Sequence, residues 1–125
     1  MSLIVYTYAK CTTCRAAVAW LKTHGIKFVE RPIRETPPTV AELREMLARQ
    51  NGQLRRLFNT SGIEYRAQRL AERLPTLTED EALTLLSRDG RLVKRPFVLG
   101  PQVGLLGFDA DRWHQALRQG PENLR

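Results

Sequence analysis

A chain of 125 residues with 42% hydrophobic and 26% charged side chains has the size and mixture of one globular domain, and is too apolar for wholesale disorder. Two cysteines are too few for a disulfide-stapled scaffold. The formal charge of +7, from 20 Lys and Arg against 13 Asp and Glu, is scattered along the chain with few aromatics, so direct nucleic-acid binding is not expected.

Residues 3–8, Leu-Ile-Val-Tyr-Thr-Tyr, are β-branched and aromatic and predict a buried strand. A short turn leads to a helix over about Thr13–His24, with Cys14, Ala17, Val18 and Leu21 on one face and Gly25 as its stop. Ile26–Ile33 predicts a second strand. A β-α-β order of this length implies parallel pairing through a right-handed crossover.

The middle of the chain reads as helical. Thr39 with Glu42, and Thr78 with Glu81, have capping-box spacing ahead of apolar stripes. Between them, Leu54, Leu57 and Phe58 predict a short helix, and Tyr65 to about Leu74 another. In that second helix Arg66, Arg69 and Arg73 would share one face. After the Asp89-Gly90 turn signal, Leu92-Val93 and Phe97-Val98-Leu99 read as strand flanking Arg95-Pro96. Gly100-Pro101-Gln102 reads as a hairpin loop and Val103–Phe108 as the strand after it. Asp109 can cap a last helix containing Trp113, Ala116 and Leu117, and Gln119–Arg125 reads as a frayed tail. The order is β-α-β, a helical block, then β-β-α, with no linker between separate cores.

No apolar run reaches the roughly 18 residues of a bilayer-spanning helix, and the first residues lack a secretory pattern. A cytoplasmic location and no membrane partner are expected. In a reducing compartment a close cysteine pair is catalytic or redox-sensing more often than structural.

Cys11-Thr12-Thr13-Cys14 lies between a strand and a helix. Unpaired N–H groups and the positive end of the helix dipole face the first cysteine, and both favour its thiolate. The second thiol is close enough to attack an adduct formed on Cys11. The plainer alternative is that Cys14 is a small buried hydrophobe. A structural zinc site needs about four ligands, and only His24 and His114 remain, so no metal is expected. Lys94-Arg95-Pro96 places two cations before a fixed backbone. Cations stabilise a thiolate or bind an anion if the fold brings them near one. The residues themselves give no reason to expect a cis Arg95–Pro96 bond, since only about 5–6% of X–Pro bonds are cis in folded proteins.

Three stretches together resemble the arsenate reductase (ArsC)/Spx family: Tyr6 to Ala16 around the cysteines, Leu57-Phe58-Asn59-Thr60-Ser61-Gly62, and Leu92 to Pro96. The resemblance runs from Leu3 to about Leu117 and is closest to the ArsC-like branch whose Cys-x-x-Cys is similar to that of the Spx/MgsR regulators. It implies an α/β, thioredoxin-like fold with a mixed sheet, formed by one domain over residues 1–125 with a helical insertion at about 36–90. It makes Cys11 the nucleophile and Cys14 the resolving thiol. Arg15 and Arg95 become substrate-binding or thiolate-stabilising groups, and Pro96 the cis proline beside the active cysteine.

The implied function is a thiol-disulfide oxidoreductase without a bound cofactor, fed by glutathione/glutaredoxin or thioredoxin. The alternative the family offers is a redox-sensing regulator that binds the C-terminal domain of the RNA polymerase alpha subunit. Two departures stand out. Glutathione/glutaredoxin-coupled arsenate reductases have serine in place of Cys14. They also hold the oxyanion with three arginines, whereas here Asn59 takes one of those positions and no arginine occurs between Arg95 and Arg112.

Overall fold

A computed structural model of the chain describes residues 3–118. In chain order it contains β1 (Leu3–Thr7), α1 (Thr12–Thr23), β2 (Phe28–Pro32), α2 (Val40–Arg49), α3 (Ile63–Ala67) and α4 (Leu70–Arg73). These are followed by α5 (Glu79–Arg88), β3 (Phe97–Gly100), β4 (Val103–Leu106) and α6 (Ala110–Arg118). Two compact units result, one running up to Pro32 and resuming at Arg95, the other Ile33–Lys94.

The first unit is built on a four-stranded sheet of order β2-β1-β3-β4. β1 and β2 are parallel, from Leu3↔Phe28 to Thr7↔Pro32, with α1 as the crossover. β3 runs antiparallel to β1 with Val5↔Val98 and Tyr6↔Phe97 in register, and β4 returns antiparallel to β3. The sheet is therefore mixed. Leu3, Val5 and Val98 share one apolar cluster with Ala17 and Leu21 of α1 and Trp113 and Leu117 of α6. Both helices pack on that face because their apolar residues recur at helical spacing. Gly25 ends α1 at a φ of +66°, a left-handed conformation that glycine adopts without penalty. Asp109 caps α6, its carboxylate accepting from the Arg112 N–H at 3.2 Å. The expected tail Gln119–Arg125 lies outside the described residues.

In the second unit, both capping boxes form as the spacing predicts. The Thr39 hydroxyl accepts from Glu42 N–H at 3.1 Å and the Thr78 hydroxyl from Glu81 N–H at 3.1 Å, each reciprocated by the glutamate. The two helices pack against one another and bury Leu43, Met46 and Leu47 on α2 and Ala82, Leu83 and Leu86 on α5. Thr78→Ala removes one side-chain acceptor from the start of α5. It is expected to lower stability by about 1 kcal/mol, read as a shift in the urea midpoint.

The segment after Gly62 departs from the single helix expected at Tyr65–Leu74. Arg69 adopts a left-handed φ of +54° and separates α3 from α4. The cause is the spacing of buried residues. Tyr65 and Leu70 are both buried, yet five positions put them about 140° apart around an unbroken helix. The break turns both inward, so Arg66, Arg69 and Arg73 do not share a helical face. Arg69 instead pairs with Glu72 at 2.8 Å.

Two shorter expectations are also corrected. Leu54–Leu57 is one turn of 3-10 helix. Leu92-Val93 is not a strand, because Gly90–Leu92 forms another 3-10 turn and Val93 makes a single antiparallel bridge to Phe58. Leu92 and Val93 are both fully buried, which a strand with one covered face cannot achieve at adjacent positions. Their backbone groups bond to the Leu57–Asn59 segment, Asn59 N–H to Leu92 O at 2.7 Å and Lys94 N–H to Leu57 O at 2.8 Å.

Candidate active site

β1 ends at Thr7, and a tight turn closes when the Cys11 N–H donates to Tyr8 O at 2.9 Å. Cys11 is thereby the N-cap of α1, with extended backbone, and its sulfur accepts from the Cys14 N–H at 3.3 Å. A thiol here takes the place a serine or aspartate oxygen fills at other helix starts. The first turn of α1 carries no acidic side chain, so the helix terminus has no carboxylate competing with a thiolate.

The two sulfurs have opposite environments. Cys11 is partly exposed and Cys14 is buried, and both are free thiols. Burial pushes the Cys11 thiol up, but the Cys14 side chain, the Cys14 backbone N–H and the Arg95 guanidinium outweigh it, and the net is below the ordinary value. For Cys14, burial dominates; with its hydrogen bond to Cys11 and the charge there, it is pushed up to about 12, against a backbone hydrogen bond from Tyr8 and the charge of Arg95. The pair divides into a sulfur that ionises readily and one that keeps its proton.

Arg95 reaches this place through sheet register. Tyr6 pairs with Phe97 across β1 and β3. The pairing ends there, and Arg95 and Pro96 stand in a bend immediately ahead of β3, next to the end of β1. The Arg95–Pro96 bond is cis, and the Arg95 guanidinium lies over the Tyr8 ring, 5.0 Å from its centroid. Arg15 is differently placed. It is exposed on the first turn of α1 and reaches Ala9 O at 3.5 Å, at the rim and away from the sulfurs' hydrogen bonds.

The structure thus gathers Cys11, Cys14, Arg95 and Pro96, and leaves Arg15 at the margin. It adds Tyr8, which sequence reasoning places only at the end of a strand. An aromatic three residues ahead of the first cysteine was the available signal. Among the described residues no group of three or more His, Cys, Asp or Glu could hold a metal ion. His24 and His114 do meet, with ring centroids 6.1 Å apart, beside Trp20. No helix among the described residues is long and apolar enough to cross a membrane.

A mixed sheet with a Cys-x-x-Cys where its first strand hands over to a helix defines a thioredoxin-like α/β protein. The ArsC family profile matches residues 6–116, and the chain belongs to that family. It is 42% identical over 115 residues to YusI of Bacillus subtilis strain 168, covering 92% of this chain and 98% of YusI. It is 32% identical over 107 residues to the global transcriptional regulator Spx 1 of Lactococcus lactis subsp. lactis strain IL1403, covering 86% and 82% of the two chains. The crystal structure of an ArsC family related protein from Bacteroides fragilis superposes with a TM-score of 0.85 at 36% identity, covering 93% of this chain and 99% of that one.

Proposed function

We propose that the protein is a cytoplasmic thiol-disulfide oxidoreductase, with Cys11 as nucleophile and Cys14 as resolving thiol. The observation that carries this reading is the divided environment of the pair: Cys11 capped, cation-flanked and partly exposed, Cys14 buried with its thiol pushed up. In the first step the Cys11 thiolate attacks a substrate disulfide, forms a mixed disulfide and expels one substrate thiolate. In the second, Cys14 loses its proton and attacks the Cys11 sulfur, which expels the other substrate thiolate and leaves a Cys11–Cys14 disulfide. The protein dithiol is oxidised by two electrons and the substrate disulfide is reduced to two thiols. Glutathione with glutaredoxin, or thioredoxin, returns the electrons.

The order of steps follows from the electrostatics. One of the influences that hold the Cys14 proton, the charge on Cys11, exists only while Cys11 is a thiolate. Forming the mixed disulfide consumes that charge, so Cys14 becomes more acidic when it is needed. Arg95 stabilises the thiolate and Arg15 offers a cation at the rim to an anionic part of the substrate. Arg95→Gln is expected to lower Cys11 alkylation at neutral pH by about three- to tenfold, since water partly screens the guanidinium from the sulfur. The pH profile moves upward, since the lost cation favoured the charged form.

A turnover screen tests the reading, with arsenate and model disulfides as oxidants and each of the two reductant systems as donor. Turnover of disulfides, with arsenate poorly used, is expected. Arsenate turnover matching a dedicated reductase would contradict the assigned substrate class. The identity to Spx 1 favours one second reading, in which the same cysteine pair senses oxidants for a transcription regulator. Redox-dependent capture of the isolated C-terminal domain of the RNA polymerase alpha subunit, with no thiol turnover, would select it.

A further inference from the structure

Tyr8 touches the site in three places. Its carbonyl accepts from the Cys11 N–H at 2.9 Å, and its backbone hydrogen-bonds the Cys14 thiol. Its half-buried ring lies against the Arg95 guanidinium, 5.0 Å from centroid to Cζ. We propose that Tyr8 is a positioning residue for Cys11, whose ring holds the Arg95 guanidinium by its face and so keeps the N–H edge turned to the Cys11 sulfur.

The physical reason lies in the shape of the two groups. A guanidinium is planar, stacks through its faces and donates through its edge. Arginine carries several rotatable bonds, and a partly exposed one held only by a single sulfur would share its time with water. A carboxylate could also fix it, but would neutralise the charge that the thiolate needs. An aromatic face orders the cation without occupying an N–H donor or cancelling the charge. The sequence supplies such a face at Tyr8, one residue beyond β1, where the Arg95 guanidinium lies over it.

The inference rests on reading Cys11 as the nucleophile, and its test reads Cys11 directly, without turnover. The pH profile of Cys11 alkylation, located by mass spectrometry on the reduced full chain, is measured for Tyr8→Leu, Tyr8→Phe, Arg95→Gln, Arg95→Lys and the Tyr8→Leu/Arg95→Gln double variant. The groups facing Cys11 that enter this profile are Cys14 on α1 and Arg95 ahead of β3. Tyr8→Leu is expected to move the midpoint upward and cut alkylation at neutral pH by about threefold, with Tyr8→Phe unchanged. In the Arg95→Gln background Tyr8→Leu is expected to add nothing, because the cation it positions is gone.

An unshifted Tyr8→Leu, or an equal shift with and without Arg95, would overturn the proposal. Arg95→Lys keeps the charge but loses the stacking plane, so it is expected to raise the midpoint even if Tyr8→Leu does not fold. A lysine variant with the parent profile would also count against the proposal. If Arg95→Gln shifts the profile and Tyr8→Leu does not, only the role of Tyr8 falls. If Cys11 in the unsubstituted protein titrates as an ordinary thiol, the nucleophile reading falls first.

Discussion

Replacing Cys11 by serine is expected to reduce disulfide turnover by about a thousandfold or more, to the level of uncatalysed exchange. A hydroxyl at the helix cap accepts the same Cys14 N–H, so the helix start should survive while the nucleophile does not. Cys14→Ser is expected to behave in the opposite way. The first attack remains, the resolving step is lost, and a mixed disulfide accumulates on Cys11, where intact-mass and peptide mass spectrometry detect it. Cys14 in the Cys11→Ser variant should form little adduct, because burial is the largest of the causes that push its thiol up beside the Cys11 thiolate, and burial survives the substitution. Removing that thiolate eases the shift but leaves the burial. Equal trapping on the two cysteines in the two single variants would contradict the assigned roles.

The second large effect is structural. Gly90 is buried at the start of a 3-10 turn that Asp89 caps, its carboxylate accepting from Arg91 N–H at 3.0 Å. A Cβ at Gly90 would stand 1.8 Å from Ile33 O, 2.7 Å from the Ile33 carbonyl carbon and 3.1 Å from Arg34 Cα. These are backbone atoms, so no side-chain rotation relieves the overlap. Gly90→Ala is expected to destabilise the Ile33–Lys94 unit by about 3 kcal/mol or more, measured by urea unfolding followed by circular dichroism. Gly25→Ala gives the contrast. Its Cβ would meet nothing within 4 Å, and only the φ of +66° resists it, for about 1 kcal/mol. A Gly90→Ala variant as stable as Gly25→Ala would show that the Ile33 and Gly90 backbones do not approach so closely.

Much of this architecture is legible in the residues because local chemistry and packing agree. The run Leu3–Thr7 is β-branched and aromatic, the Thr39 and Thr78 boxes satisfy orphan N–H groups, and both outcomes follow from neighbours a few positions away. The cap position of Cys11 is equally local, since a cysteine between a strand and a helix becomes an N-cap without distant help. What escaped the sequence depends on pairing across the chain. The left-handed Arg69 follows from the need to bury both Tyr65 and Leu70, which no helix propensity announces. The partnership of Tyr8 with Arg95 depends on the β1–β3 register, which joins residues far apart in sequence. Arg15, which the family resemblance makes a substrate-binding or thiolate-stabilising group, reaches Ala9 O at 3.5 Å, a local contact that its position in the sequence does not announce.

The central claim is the division of labour between two thiols, and site-resolved alkylation of the reduced protein across pH tests it most directly. The Cys11 thiol, held below its ordinary value, should alkylate with its midpoint at a lower pH than that of a free cysteine, losing reactivity as the pH falls through that midpoint. Cys14, held up near 12 beside the Cys11 thiolate, should be modified only after Cys11 and more slowly, because its burial remains once alkylation has removed that thiolate. Two cysteines that alkylate together with the midpoint of a free thiol, or a Cys14 that reacts first, would contradict the account.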